Sequence, residues 1–184
     1  AICGIHLKNK GMLKNSTVVT TIMSNMGLEV ALKQAGIKMV RTKVGDRYVL
    51  EEMLRSDFNL GGEQSGHIIF LDHNTTGDGL ITAVNLLRVM VQTGKPLSEL
   101  KKVMQIYPQV LLNVEVEDKS KYEGNEVIKN AINKAEESMG GKGRIVVRPS
   151  GTEPIIRVMV EGEDSKLIQN IAEEIASVIK RELQ

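Results

Sequence analysis

Arg148-Pro149-Ser150-Gly151-Thr152-Glu153-Pro154-Ile155-Ile156-Arg157 is the stretch around which the C-terminal half of the chain is read. An apolar run, Ile145 to Val147, leads into it, and a second, Ile155 to Val160, leads out. It therefore reads as a loop between two strands. Pro149 and Pro154 lack a backbone donor and fix φ, which stiffens both shoulders. Gly151 lets a ligand approach the backbone where a Cβ would collide. Between the prolines lie the hydroxyls of Ser150 and Thr152 and several backbone N–H groups. Arg148 and Arg157 flank them, each with a planar fork of donors. Donors in this density, with Glu153 almost the sole acceptor, suit a phosphate. The competing reading is an ordinary Ser-Gly turn with two solvated arginines. The paired prolines and paired arginines favour the anion.

Outward from the loop, the order is strand (110–116), helix (124–138), a Gly-rich turn (140–143), strand (144–148), strand (155–160) and helix (165–183). Leu167, Ile171, Ile175, Val178 and Ile179 give the last helix one apolar face. This predicts an α+β unit with helices on one side of a small antiparallel sheet. The order of elements changes near Tyr107-Pro108, so the expected domains are 1–104 and 105–184.

The first domain reads differently. A short apolar stretch ends at Asn9-Lys10-Gly11, a helix stop. Thr17 to Met23 is β-branched and apolar, a buried strand. Asn25 or Ser24 caps a helix over about 26–35, closed by Gly36. A strand over 37–42 follows, then a helix opening at Gly45-Asp46-Arg47, with Val49, Leu50, Met53 and Leu54 at helical spacing. Strand–helix–strand–helix order argues for an α/β layer.

Next comes Gly61-Gly62-Glu63-Gln64-Ser65-Gly66-His67, ahead of the apolar Ile68-Ile69-Phe70. A turn needs one or two glycines, not Glu, Gln, Ser and His within five positions. If the piece is extended, Glu63 and Ser65 point to one side, a carboxylate and a hydroxyl suited to sugar hydroxyls. The alternative is a glycine-rich hairpin with a solvated polar tip, and His67 alone reads as a structural histidine. Thr75 and Asp78 have the spacing of a capping box for a helix whose apolar stripe is Leu80, Val84, Leu87 and Val91. A short helix over 97–104, capped near Ser98, closes the domain.

Composition sets bounds. At 184 residues the chain fits one large or two small domains. A net charge of +1 implies neither a polyanion nor a membrane surface as partner. Aromatics are 3% with no tryptophan, so stacking platforms for single-stranded nucleic acid are not expected. The single cysteine, Cys3, excludes an intrachain disulfide and fits a reducing, cytoplasmic setting. No apolar run approaches the roughly 20 residues that span a bilayer. Ala1 to Lys8 has no signal-peptide layout and reads as mid-helix, so the chain is expected to be a piece of something longer.

Two of the quoted stretches resemble a known family. Gly62-Glu63-Gln64-Ser65-Gly66-His67 resembles the sugar-binding loop of the α-D-phosphohexomutases, and Arg148 to Pro154 with Arg157 resembles their phosphate-binding loop. Val44-Gly45-Asp46-Arg47-Tyr48-Val49 and Thr75-Thr76-Gly77-Asp78-Gly79 are most similar to the bacterial phosphoglucosamine mutase branch. The resemblance covers the whole chain and implies the third and fourth of four domains: a helix-flanked mixed sheet, then a smaller lid with a fold like that of the TATA-box-binding protein. That likeness of fold implies no DNA binding.

The resemblance also implies an activity: interconversion of glucosamine 6-phosphate and glucosamine 1-phosphate through a phosphoserine enzyme and a bisphosphate intermediate. Such a reaction feeds amino-sugar and peptidoglycan precursors. The serine loop and the aspartate-rich loop that binds magnesium in the full-length enzymes have no counterpart here, so no metal site and no turnover are expected of this chain alone. The implied substrate-binding residues are Glu63, Ser65, His67, Arg148, Ser150, Gly151, Thr152 and Arg157, with His67 a candidate acid–base helper and Asp46 and Arg47 a further active-site segment. The implied partners are a phosphosugar, the missing N-terminal domains and, in the parent enzyme, a second copy. Alternatives are a mannose- or glucose-phosphate mutase fragment and a non-catalytic anion-binding module.

Overall fold

The computed structural model describes residues 1–184, which divide into two compact units, Ala1–Ile106 and Tyr107–Gln184.

The first unit holds α1 (Ile2–Asn9), β1 (Thr17–Thr21), α2 (Met26–Gln34), β2 (Lys38–Thr42), α3 (Asp46–Arg55), β3 (Leu60–Gly62), β4 (Ile68–Phe70), α4 (Gly79–Thr93) and α5 (Leu97–Leu100). Its four-stranded sheet runs β2-β1-β3-β4. β1 pairs in parallel with both neighbours, and β3 and β4 pair antiparallel, so the sheet is mixed. Every residue of β1 is buried, as a central strand covered on both faces requires. Its side chains alternate between two cores. Val18 joins Leu13, Leu32, Leu60 and Phe70, with α1, α2 and Ile81 of α4 packed against them. Val19 joins Val49 and Met53 of α3 and Ile69. The sheet is thus layered between α3 and the other helices.

Three local expectations change. Leu60–Gly62 is a strand rather than loop, because Gly61 lets it lie under α3. A Cβ at Gly61 would stand 2.5 Å from Met53 Sδ and 2.7 Å from Val49 Cγ1. Asp78 is itself the N-cap of α4, its carboxylate accepting from the Ile81 N–H at 2.9 Å, so the Thr75 capping box does not form. The 97–104 helix is a four-residue α-turn capped at Pro96, followed by a 3-10 turn, and Ser98 lies inside it. The stripe Leu80, Val84, Leu87, Val91 marks α4 correctly as a helix but faces outward. Ile81 and Val89 are the residues it turns to its own unit.

The second unit holds β5 (Gln109–Glu115), a 3-10 turn (Lys119–Tyr122), α6 (Glu126–Met139), β6 (Gly143–Pro149), β7 (Ile155–Gly162) and α7 (Ser165–Leu183). The antiparallel order is β5-β7-β6, with β7 in the middle. Ile156, Val158 and Val160 point to a core with Ile168, Ile171, Ile175 and Ile179 of α7. By alternation, Arg157, Met159 and Glu161 line the opposite face. Asn125 caps α6 and Asp164 caps α7, each side chain accepting two backbone N–H groups.

Candidate functional site

Register decides the geometry of the loop between Arg148 and Arg157. In the β6–β7 ladder Arg144 stands opposite Glu161, Val146 opposite Met159, and Arg148 opposite Arg157. The first of these pairs is ordinary, with Arg144 Nε 2.6 Å from Glu161 Oε2. The last is not, because like charges directly opposite one another are destabilising. The same face of one hairpin matches charges at one end and opposes them at the other. Burial first, and then the charge of Arg157, pull the Arg148 guanidinium below its ordinary value. It still carries its proton at any physiological pH. The Nε atoms of Arg148 and Arg157 are both buried without a hydrogen-bond partner. Arg157 Nη2 already meets one carboxylate, Glu153 Oε2 at 2.7 Å, but two arginines in register with buried, unpaired Nε donors still leave room for a further anion.

The loop from Ser150 to Pro154 closes that end of the hairpin. The Ser150 N–H donates to the Ile155 carbonyl at 2.9 Å, and Ser150 is 3% exposed. Its hydroxyl accepts from the Glu153 N–H at 3.3 Å. Gly151 and Thr152 are exposed at the tip. A Cβ at Gly151 would meet no protein atom within 4 Å, so no packing within the chain requires glycine there. Lys119 was not legible as a site residue. Its Nζ donates to the Ser150 carbonyl at 2.8 Å and the Glu153 carbonyl at 3.3 Å, tying the loop to the 119–122 turn. Asp118 caps that turn, and hydrogen bonds from the Ser120 hydroxyl and N–H hold its carboxyl below the usual range.

The Gly62–His67 loop belongs to the first unit and departs from the extended form. The Gly66 N–H donates to the Glu63 carbonyl at 3.1 Å and the Glu63 N–H to the His67 carbonyl at 2.8 Å. Residues 63–66 are therefore a β-turn between β3 and β4, with Gly66 at φ +104°. Glu63 and Ser65 therefore do not lie on one side of a continuing strand, as the extended form would require. Ser65 instead lies at the tip, its Oγ 3.4 Å from His67 Nδ1.

Glu63 reaches the other way. Its Oε1 accepts the Gly45 N–H at 2.9 Å, at the cap of α3. This brings it beside Asp46 and Arg47. The Arg47 Nε is held 2.7 Å from Glu51 Oε1 one turn along, and that bond raises the Arg47 value. Asp46 Oδ1 accepts the Arg47 N–H at 2.8 Å. The ring of His67 packs on Gly77, where a Cβ would stand 2.8 Å from its Cδ2. Gly45, at φ +132°, and Gly77 thus shape this loop.

The family model described as "Phosphoglucomutase/phosphomannomutase, alpha/beta/alpha domain III" matches residues 1–107, and that described as the C-terminal domain matches residues 111–178. The chain belongs to the phosphohexomutase family. It is 60% identical over 185 residues to the phosphoglucosamine mutase of Caldanaerobacter subterraneus and 58% identical over 183 residues to that of Brevibacillus brevis. All of this chain is covered in both cases, and 41% of each relative, which is its C-terminal part. Among solved phosphohexomutases, Aspergillus fumigatus N-acetylphosphoglucosamine mutase in complex with GlcNAc-6P and magnesium superposes with a TM-score of 0.80 at 20% identity. That match covers 100% of this chain and 42% of that one, and it shows the shared fold.

Proposed function

We propose that this chain is the substrate-binding half of a phosphoglucosamine mutase. In that reading the enzyme interconverts glucosamine 6-phosphate and glucosamine 1-phosphate, with its phosphoserine and magnesium loops on segments that correspond to the part of the relatives' length this chain does not span, the match covering 41% of the Caldanaerobacter relative. The observation that supports the proposal is the Arg148–Arg157 pair, two arginines in register across one hairpin whose buried Nε donors have no partner although Glu153 already meets Arg157. Arg148, Arg157, Ser150 and the backbone at Gly151 and Thr152 hold the phosphate that is not reacting. Its binding energy orients the sugar for chemistry supplied by the other domains. Glu63, with Oε1 fixed by Gly45, offers Oε2 to a ring hydroxyl, and Ser65 offers a second contact. His67, on the same turn, is the candidate for proton transfer at the sugar oxygen. Asp46 and Arg47 border the Glu63 contact.

The relatives named phosphoglucosamine mutase favour a glucosamine phosphate over a mannose or glucose phosphate. No group of three or more His, Cys, Asp or Glu side chains is arranged to hold a metal ion, so the residues present do not fit magnesium and no step is routed through it. No helix is long and apolar enough to cross a membrane. We place the parent enzyme in the cytoplasm, where its phosphosugar substrate resides, as a protein able to pair with a second copy.

The test is titration of inorganic phosphate and glucosamine 6-phosphate into the 184-residue chain. Each hydrogen bond to a charged group contributes about 1.5–3 kcal/mol, so Arg148→Ala weakens both ligands by roughly tenfold to a hundredfold. Glu63→Gln weakens the sugar phosphate and leaves inorganic phosphate nearly untouched. Equal losses for both ligands in both variants refute the division of labour between the loops. The chain alone turns over no glucosamine 6-phosphate, and measured turnover refutes that part.

A further inference from the structure

The cradle already contains an anion of its own. Glu153 is the one acidic residue between Pro149 and Pro154. Its Oε2 accepts from Arg157 Nη2 at 2.7 Å and from the Ser150 hydroxyl at 3.4 Å. Arg157 and Ser150 are two of the donors assigned above to phosphate. We infer that Glu153 is a built-in counter-ion: its carboxylate takes the phosphate's place in the empty cradle and competes with phosphate for it. The inference rests on reading the loop as a phosphate site.

The way Glu153 is held supports exchange. Its backbone is fixed at both ends, the N–H donating to Ser150 Oγ and the carbonyl accepting from Lys119 Nζ. Its side chain is 54% exposed. Rotation about the side-chain bonds therefore carries the carboxylate into solvent without moving the loop. One carboxylate is also a poor match for the site. It engages Nη2 of Arg157 and leaves the Nε atoms of both arginines unpaired. A phosphate monoester carries about −1.5 to −2 charge and three acceptor oxygens, enough to engage both forks. Phosphate wins the exchange, but the displaced ion pair is subtracted from its affinity. The consequence is a cradle that stays ordered when empty and releases its ligand readily.

A different role for Glu153 predicts the opposite result. If the carboxylate is needed to aim Arg157, then removing it weakens phosphate binding. Inorganic phosphate is titrated into the 184-residue chain as wild type, Glu153→Gln, Glu153→Ala and Arg148→Ala, with thermal unfolding as the check on folding. Competition predicts that Glu153→Gln and Glu153→Ala bind phosphate about threefold to fivefold more tightly, the scale of one partly exposed ion pair. The gain resides mainly in slower dissociation, and it shrinks as salt screens the Glu153–Arg157 attraction. Unchanged or weakened binding in the Glu153 variants, with Arg148→Ala still losing phosphate, overturns the counter-ion role and leaves the phosphate site standing. Phosphate binding that Arg148→Ala does not affect overturns the site itself.

Discussion

Lys119→Met tests how far the loop depends on a residue outside it. Methionine keeps most of the aliphatic stem and deletes the ammonium. Two hydrogen bonds go with it, at 2.8 Å to the Ser150 carbonyl and 3.3 Å to the Glu153 carbonyl. A hydrogen bond from a charged donor contributes about 1.5–3 kcal/mol. The second bond is long and exposed, and water replaces part of the first. After that discount about 1–2 kcal/mol of loop order is lost, a factor of roughly 5–30. Lys119 touches neither arginine in these contacts, so it acts as a positioning residue: phosphate affinity falls because ordering Ser150 to Glu153 becomes part of the cost of binding. The assay pairs phosphate titration with amide hydrogen exchange. Exchange at Gly151 to Glu153 accelerates in the empty variant and returns toward the wild-type rate at saturating phosphate. Lys119→Arg, which keeps charge and donors, restores part of the affinity. If Lys119→Met leaves exchange at 151–153 unchanged while affinity falls, Lys119 acts through its charge alone and the positioning argument is wrong.

Two further outcomes follow from the packing around the loops. Gly61→Val drives its side chain toward Met53 Sδ, Val49 Cγ1 and the Val19 carbonyl, the last a backbone atom that cannot retreat; overpacking of this kind costs about 1–3 kcal/mol, so thermal unfolding of the first unit drops by several degrees, and an unchanged midpoint contradicts the packing of β3 under α3. Asp118 has a depressed folded-state value, so its cap contributes above the unfolded value of about 4 and is lost as pH falls through the lower folded value; protection of the 119–122 amides, taken relative to the intrinsic exchange rate at each pH, falls only below about pH 4 in wild type and is low at every pH in Asp118→Ala, and loss of protection in the wild-type turn between pH 5 and 7 excludes this cap as the cause.

What could be read from the sequence divides along a physical line. Local periodicity and punctuation placed α2, α3, α6 and α7 and the β6–loop–β7 hairpin, because each is determined by residues close in the chain: Asn25 as a cap, and Ile171, Ile175 and Ile179 as one helix face. The Arg148–Arg157 pairing was within reach for the same reason, since a short loop fixes the register of its hairpin. Lys119 and the bond from Gly45 to Glu63 were out of reach. Lys119 contacts a carbonyl 31 positions away, and Glu63 accepts from an N–H 18 positions before it. Neither partner is a side chain whose identity could mark the contact. Backbone donors and acceptors are the same at every position, so sequence pattern cannot tell which of them a side chain will find. The Glu63–Ser65 error has a related origin. Alternation says which side a residue faces only if the strand continues, and Gly66, at positive φ, ends it three positions after Glu63. Glu153 shows the same limit: the sequence presents it as the odd acceptor among donors, and only the fold turns it back onto Arg157, where the counter-ion role we infer for it would set how tightly the loop can hold any other anion.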